Sequence, residues 1–179
     1  STDQTTVNTD TQAPAAAIAS PGLITCTQPQ VTLNGTGSQP GPNIVFAWTT
    51  TDGNIVSGGS TNQAVVDASG TYILNVLNNT NGCTNTATAI VSDNIVLPDA
   101  DAGPPATLNC TVEEVSLQGS GSTGSIYTYA WAPSQGGQIV SGANTLSPLV
   151  NQAGLYTLTV TNTSTGCTET DAVQILVET

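Results

Sequence analysis

The chain has no lysine, no arginine and no histidine. Ion pairs between side chains therefore cannot form. No cationic patch can hold phosphate, which excludes nucleic acid and electrostatic docking on an anionic membrane as partners. Catalysis loses its usual bases too. Neither His nor Lys is present to activate a Ser or Cys nucleophile, so an enzyme is not expected. Glu113 and Glu114 are adjacent, and in an extended segment they would face opposite ways, unlike the facing carboxylates of a glycosidase. Isopeptide links between Lys and Asn are impossible. No apolar run is long enough to span a bilayer, so membrane insertion is not expected either. Aromatic residues are scarce, at one Phe, two Trp and four Tyr. No signal peptide is visible, as expected of a mature or partial chain.

What is present is an acidic, turn-rich chain of 179 residues with 12 carboxylates and a formal net charge of −12. It repeats at a step of 84 residues. CTQPQVTLNGTG, FAW, NIVSGG and NGCT in the first copy become CTVEEVSLQGSG, YAW, QIVSGA and TGCT in the second. Such self-similarity marks a tandem array. The expected division is a first repeat over 14–97 and a second over 98–179. Residues 1–13 match the last strand of a repeat, so they read as the end of a preceding repeat or a linker, in a chain cut from a longer array. The alternative is a donor strand completing a neighbouring subunit.

Within each copy, short alternating segments are separated by Gly, Asn and Ser turns. Val31 and Leu33 share a face, as do Phe46 and Trp48, and Tyr72, Leu74 and Val76. No segment carries a helical period. About seven strands per copy are expected, packed as a β-sandwich around Trp48 in the first and Trp131 in the second. Thr51–Asn54 and Gln135–Gln138 read as tight hairpin turns. Pro14, Pro98 and Pro104-Pro105 read as stiffeners of the junctions between copies.

DASGTY, ending at Tyr72, and NQAGLY, ending at Tyr156, resemble the corner before strand F of immunoglobulin-like domains, whose Tyr hydroxyl bonds nearby backbone. The strand-F cysteine of antibodies would fall near Leu74 and Leu158 and is absent. Four cysteines with no odd thiol argue for an oxidising compartment. Their spacing suggests one disulfide in each repeat, Cys26 with Cys83 and Cys110 with Cys167, clamping one end of each sandwich. Closing such a loop would contribute ~4 kcal/mol in the chain-entropy model. Asp93, Asp99 and Asp101 form a candidate calcium site at the junction between repeats, set against the plainer reading of a solvated acidic linker. No other cofactor is expected. Sequons at Asn34, Asn78, Asn109 and Asn162 would mark surface turns.

The pattern carried by Cys110, Leu117, Gly119, Trp131, Ile139–Gly142, Ala153-Gly154, Tyr156 and Gly166-Cys167 resembles the tandem immunoglobulin-like or PKD-like modules of very long surface proteins in gliding Bacteroidota. The first copy matches it more loosely. The resemblance covers nearly the whole chain. It implies a structural segment of a secreted adhesin or extracellular filament, exported by the type IX system and located at the cell surface. The partners it implies are neighbouring repeats of the same chain, and like chains associated as a homo-oligomer or fibre. The rival expectation is a carbohydrate- or protein-binding module pair, which should expose aromatic rings. Tyr127 is the ring expected to face outward.

Overall fold

The computed structural model describes residues 9–178. The stretch proposed as a terminal or donor strand lies mostly in residues 1–8, outside the described residues. The chain parts into two compact units between Asn94 and Ile95, and its described regular elements are all β-strands.

Unit 1 contains β1 (Ile24–Thr25), β2 (Val31–Asn34), β3 (Ile44–Thr50), β4 (Ile55–Ser57), β5 (Gln63–Val66), β6 (Gly70–Asn78), β7 (Thr84–Val91) and β8 (Asp93–Asn94). One sheet has the order β2-β5-β4 and the other β3-β6-β7. The short β1 runs parallel to β8, with Ile24 beside Asp93. In immunoglobulin terms these are a B-E-D sheet facing a C-F-G sheet, with part of strand A added to strand G. Alternation drives the packing. Val31 and Leu33 of β2, Ala64 and Val66 of β5, Trp48 of β3, and Tyr72, Leu74 and Val76 of β6 all point into one core. The intervening residues face solvent or the rim.

Unit 2 repeats the plan with β9 (Ala100–Asp101), β10 (Ala106–Leu108), β11 (Val115–Ser116), β12 (Ser120–Gly121), β13 (Tyr127–Ser134), β14 (Ile139–Ser141), β15 (Leu149–Val150), β16 (Gly154–Asn162) and β17 (Thr168–Val177). Its sheets are β11-β15-β14 and β10-β17-β16-β13, with β12 paired to β9. Trp131 lies across from Leu158 in the β13–β16 register, as Trp48 lies across from Leu74 in unit 1. Leu33, Leu74 and Leu158 are fully buried and Leu117 nearly so. Leucines thus fill the space that an inter-sheet disulfide occupies in antibody domains.

The first strand of unit 2 changes partners midway. In unit 2, β9 pairs with β12, whereas β10 runs parallel to β17, with Ala106 beside Ile175 and Leu108 beside Val177. The switch falls at Gly103-Pro104-Pro105. Two prolines withhold the N–H groups that a continuous ladder would need. Pro104-Pro105 therefore shapes the interior of unit 2 and not a junction. Thr51–Asn54 and Gln135–Gln138 are not hairpins either. Each joins strands of opposite sheets, because β4 and β14 pair with β5 and β15.

The parallel pairing also overturns the expected disulfides. Cys83 lies just before β7 begins, whereas Cys26 follows β1, whose partner is the far end of the same strand line. About ten strand residues, or roughly 30 Å, separate the two ends. Disulfide Cα atoms stand no more than about 7 Å apart. Cys167 and Cys110 are divided by β17 in the same way. Accordingly Cys83 and Cys110 are free thiols, while Cys26 and Cys167 are disulfide-bonded. Neither within-repeat bond forms.

Candidate functional site

With no Lys, Arg or His, the chemistry-bearing groups include tyrosines at the corners, carboxylates in turns, and cysteines at the ends of the units.

The corners come first. The Tyr72 hydroxyl donates to the Ala68 carbonyl at 2.7 Å, four residues back. It also accepts from the Asn54 N–H at 3.0 Å. Tyr156 repeats both contacts, donating to Gln152 O at 2.6 Å and accepting from Gln138 N–H at 2.8 Å. One hydroxyl thus ties the approach to strand F to the loop that crosses between sheets. The loop passes so close that Gly53 has no room for a side chain: a Cβ there would lie 2.2 Å from the Tyr72 oxygen. Trp48 and Trp131 are nearly buried, and each indole N–H donates to a carbonyl, Thr61 O at 2.9 Å and Thr145 O at 2.8 Å.

Asp52 sits in the same crossing loop. Its carboxylate accepts from the Thr71 N–H at 2.8 Å and from the Thr50 hydroxyl at 3.2 Å. Donation by the Thr71 backbone amide is the main reason its pKa lies below the usual carboxylate value.

The junction acids are placed separately. Asp93 accepts from the Ser69 hydroxyl at 2.7 Å in unit 1. In unit 2, Asp101 accepts from Gly103 N–H at 2.8 Å and Ser120 hydroxyl at 3.4 Å. The Asp99 N–H donates to Ser122 Oγ at 2.9 Å. Asp171, which sequence reasoning passed over, accepts from the Ala102 N–H at 2.8 Å and fastens strand A beside β17. Among the described residues no group of three or more Asp, Glu, Cys or His side chains converges as a metal site would require.

The sequon asparagines each close a turn on themselves. Asn34 Oδ1 accepts from Thr36 N–H, Asn78 Oδ1 from Thr80 N–H, Asn109 Oδ1 from Thr111 N–H and Asn162 Oδ1 from Ser164 N–H. Asn162 is only 9% exposed, which disfavours a bulky modification there. Tyr127 does not face outward. It packs with Tyr129 against the core of unit 2, because both alternate in phase with Trp131. Their outer edges, with Thr128 and Asn144, line a surface groove of about 580 Å³.

The cysteines define two kinds of unit end. In unit 1, Asn81 and Asn85 donate to the carbonyls of Gln12 and Pro14 at 3.0 and 2.9 Å. The chain therefore enters unit 1 beside Cys83, where β7 starts. The last strand leaves at the opposite end, beside Cys26. In unit 2 the entry end carries Cys167 and the exit end Cys110, on the same topological grounds. Cys110 is exposed, at the tip of a turn pinned by the Asn109 carboxamide, which accepts from the Thr111 and Val112 amides. Cys83 is half-buried, in a turn fixed by its own N–H donating to Asn81 Oδ1 at 2.9 Å.

The topology defines both units as immunoglobulin-like modules. Residues 102–177, which lie in unit 2, match the family model described as K319L-like, PKD domain. Comparison with the curated proteins gives no significant match. Among solved structures, the chain is similar to extracellular domains 3–5 of Drosophila OTK, at 12% identity and TM-score 0.41, covering 92% of this chain and 62% of that one. It is also similar to three N-terminal domains of the outer capsid protein Hoc from bacteriophage RB49, at 14% identity and TM-score 0.44, covering 92% and 59%. A third is Sidekick-1 immunoglobulin domains 1–4, at 14% identity and TM-score 0.39, covering 96% and 51%. The chain thus spans between half and two thirds of each of these. Ig-like modules with a disulfide are typical of extracellular proteins.

Proposed function

We propose that this chain is a structural segment of a long secreted adhesin or extracellular filament at the cell surface, of the type IX-exported kind found in Bacteroidota, serving adhesion, gliding or cell capture. The observation that supports this reading is the direction of the chain through each unit. Because the first strand runs parallel to the last, the polypeptide enters at one end of a unit and leaves at the other. Such units can be strung in series indefinitely without threading back. Repetition at 84 residues is what that use requires. The corner tyrosines, the tryptophans and Asp52 hold turns and cores. Like chains associate side by side through their Thr-, Asn- and Ser-rich faces, which hydrogen-bond without opposite charges.

Electron microscopy of the native assembly tests the reading. Fibres beaded at the length of one module are expected. Isolated monomers that bind a glycan array would instead favour a carbohydrate- or protein-binding module pair. The groove lined by Tyr127 and Tyr129 is where such a ligand would sit, although both side chains also pack against the core.

A further inference from the structure

We propose that Cys83 and Cys110 are the two halves of a disulfide joint between successive copies of this repeat pair, the exit-end thiol of one copy bonding the entry-end thiol of the next. The identity of the partner rests on the segment reading above.

Four observations carry it. Within a unit the two cysteines stand at opposite ends of the last strand, so neither can satisfy the other. The two that are free lie one at an entry end and one at an exit end. Their repeat equivalents are bonded: Cys167 occupies the position of Cys83, Cys26 that of Cys110, and both are in disulfide linkage. Each position in this fold therefore admits a bond. Finally, Val112 and Val177 are 41% and 58% exposed next to Cys110, an apolar rim suited to being covered by a neighbour. Chain direction excludes like-with-like bonding in an array, because an exit end always precedes an entry end.

Charge supplies the reason for a covalent joint. Each copy carries −12 and no cation, so neighbours repel and no ion pair can offset the repulsion. The chemistry is thiol–disulfide exchange. A low-molecular-weight or protein disulfide, R–S–S–R, accepts the Cys110 thiolate, releasing R–SH. The Cys83 thiolate then attacks the Cys110 sulfur of the mixed disulfide and releases the second R–SH. Two thiols are oxidised and one external disulfide is reduced.

The test uses two variants of the full 179-residue chain, C83S and C110S, each incubated with oxidised glutathione. Each alone should remain monomeric on a non-reducing gel, because it keeps one half of the joint. Their mixture should give a dimer that dithiothreitol abolishes, and mass spectrometry should find a peptide linking Cys110 to Cys83. Wild type should give a ladder of multimers. Equal dimerisation of either variant alone, a mixture that stays monomeric, or bonds from Cys26 to Cys83 and from Cys110 to Cys167 would overturn the proposal. Beaded native fibres seen alongside a monomeric mixture would sink the joint and leave the segment reading standing.

Discussion

At the scale of single residues, two hydroxyls do more than their size suggests. Tyr72 and Tyr156 each satisfy a backbone carbonyl and a backbone N–H that are drawn together from distant parts of the chain. Replacing either by Phe keeps the ring in place and strands both partners, at a cost of about 1–3 kcal/mol. Denaturant unfolding should show Tyr72→Phe lowering the stability of unit 1 and Tyr156→Phe that of unit 2. Asp52 offers a second test. Its folded pKa is depressed, mainly by the Thr71 amide. The stabilisation is therefore complete above its ordinary value of 3.8 and fades as pH falls through the lower folded value. Asp52→Asn should remove that acid-side loss from unit 1. In unit 2 the matching turn, Gln135-Gly136-Gly137, has no carboxylate and should lack the effect.

At the scale of elements, what decides the fold is where a strand changes partners. Gly103 adopts a φ of +80°, and a Cβ there would lie 2.3 Å from the Gln118 carbonyl. Gly103→Ala should cost about 1–3 kcal/mol. It should lower hydrogen-exchange protection at Ala106–Leu108 first, since those amides depend on the switch. Sequence reading reached much of this level. Alternation at Val31 and Leu33, and at Tyr72, Leu74 and Val76, was visible because period-two burial is written in residue order. Partner choice is not written there. The pairs Ile24 with Asp93 and Ala106 with Ile175 join segments about 70 residues apart in sequence. They are only two and three residues long, too short to show a pattern. Missing them led to a disulfide within each repeat, since spacing alone does not say which end of a strand a cysteine occupies. The loop at Asp52-Gly53 misled for a related reason: its turn chemistry is that of a hairpin, yet its flanking strands belong to different sheets.

At the scale of the whole molecule, charge and direction dominate. Twelve carboxylates without a side-chain counter-cation repel one another in the folded chain, and no ion pair between side chains can form to be screened. Raising ionic strength toward ~0.15 M, where the Debye length is about 8 Å, should raise the melting temperature. A protein held together by ion pairs would respond in the opposite sense. Calorimetry across a sodium chloride series checks the sign.

The two short ladders that run alongside the final strands have a mechanical meaning. Pull on a unit by its two termini and the first and last strands are dragged past each other along their length. The hydrogen bonds between them then resist as a group in shear, whereas a hairpin would unzip one bond at a time. Unit 2 has three such residue pairs and unit 1 two. Under reducing conditions, single-molecule stretching should therefore see unit 1 rupture at the lower force, making it the weaker link of a tether.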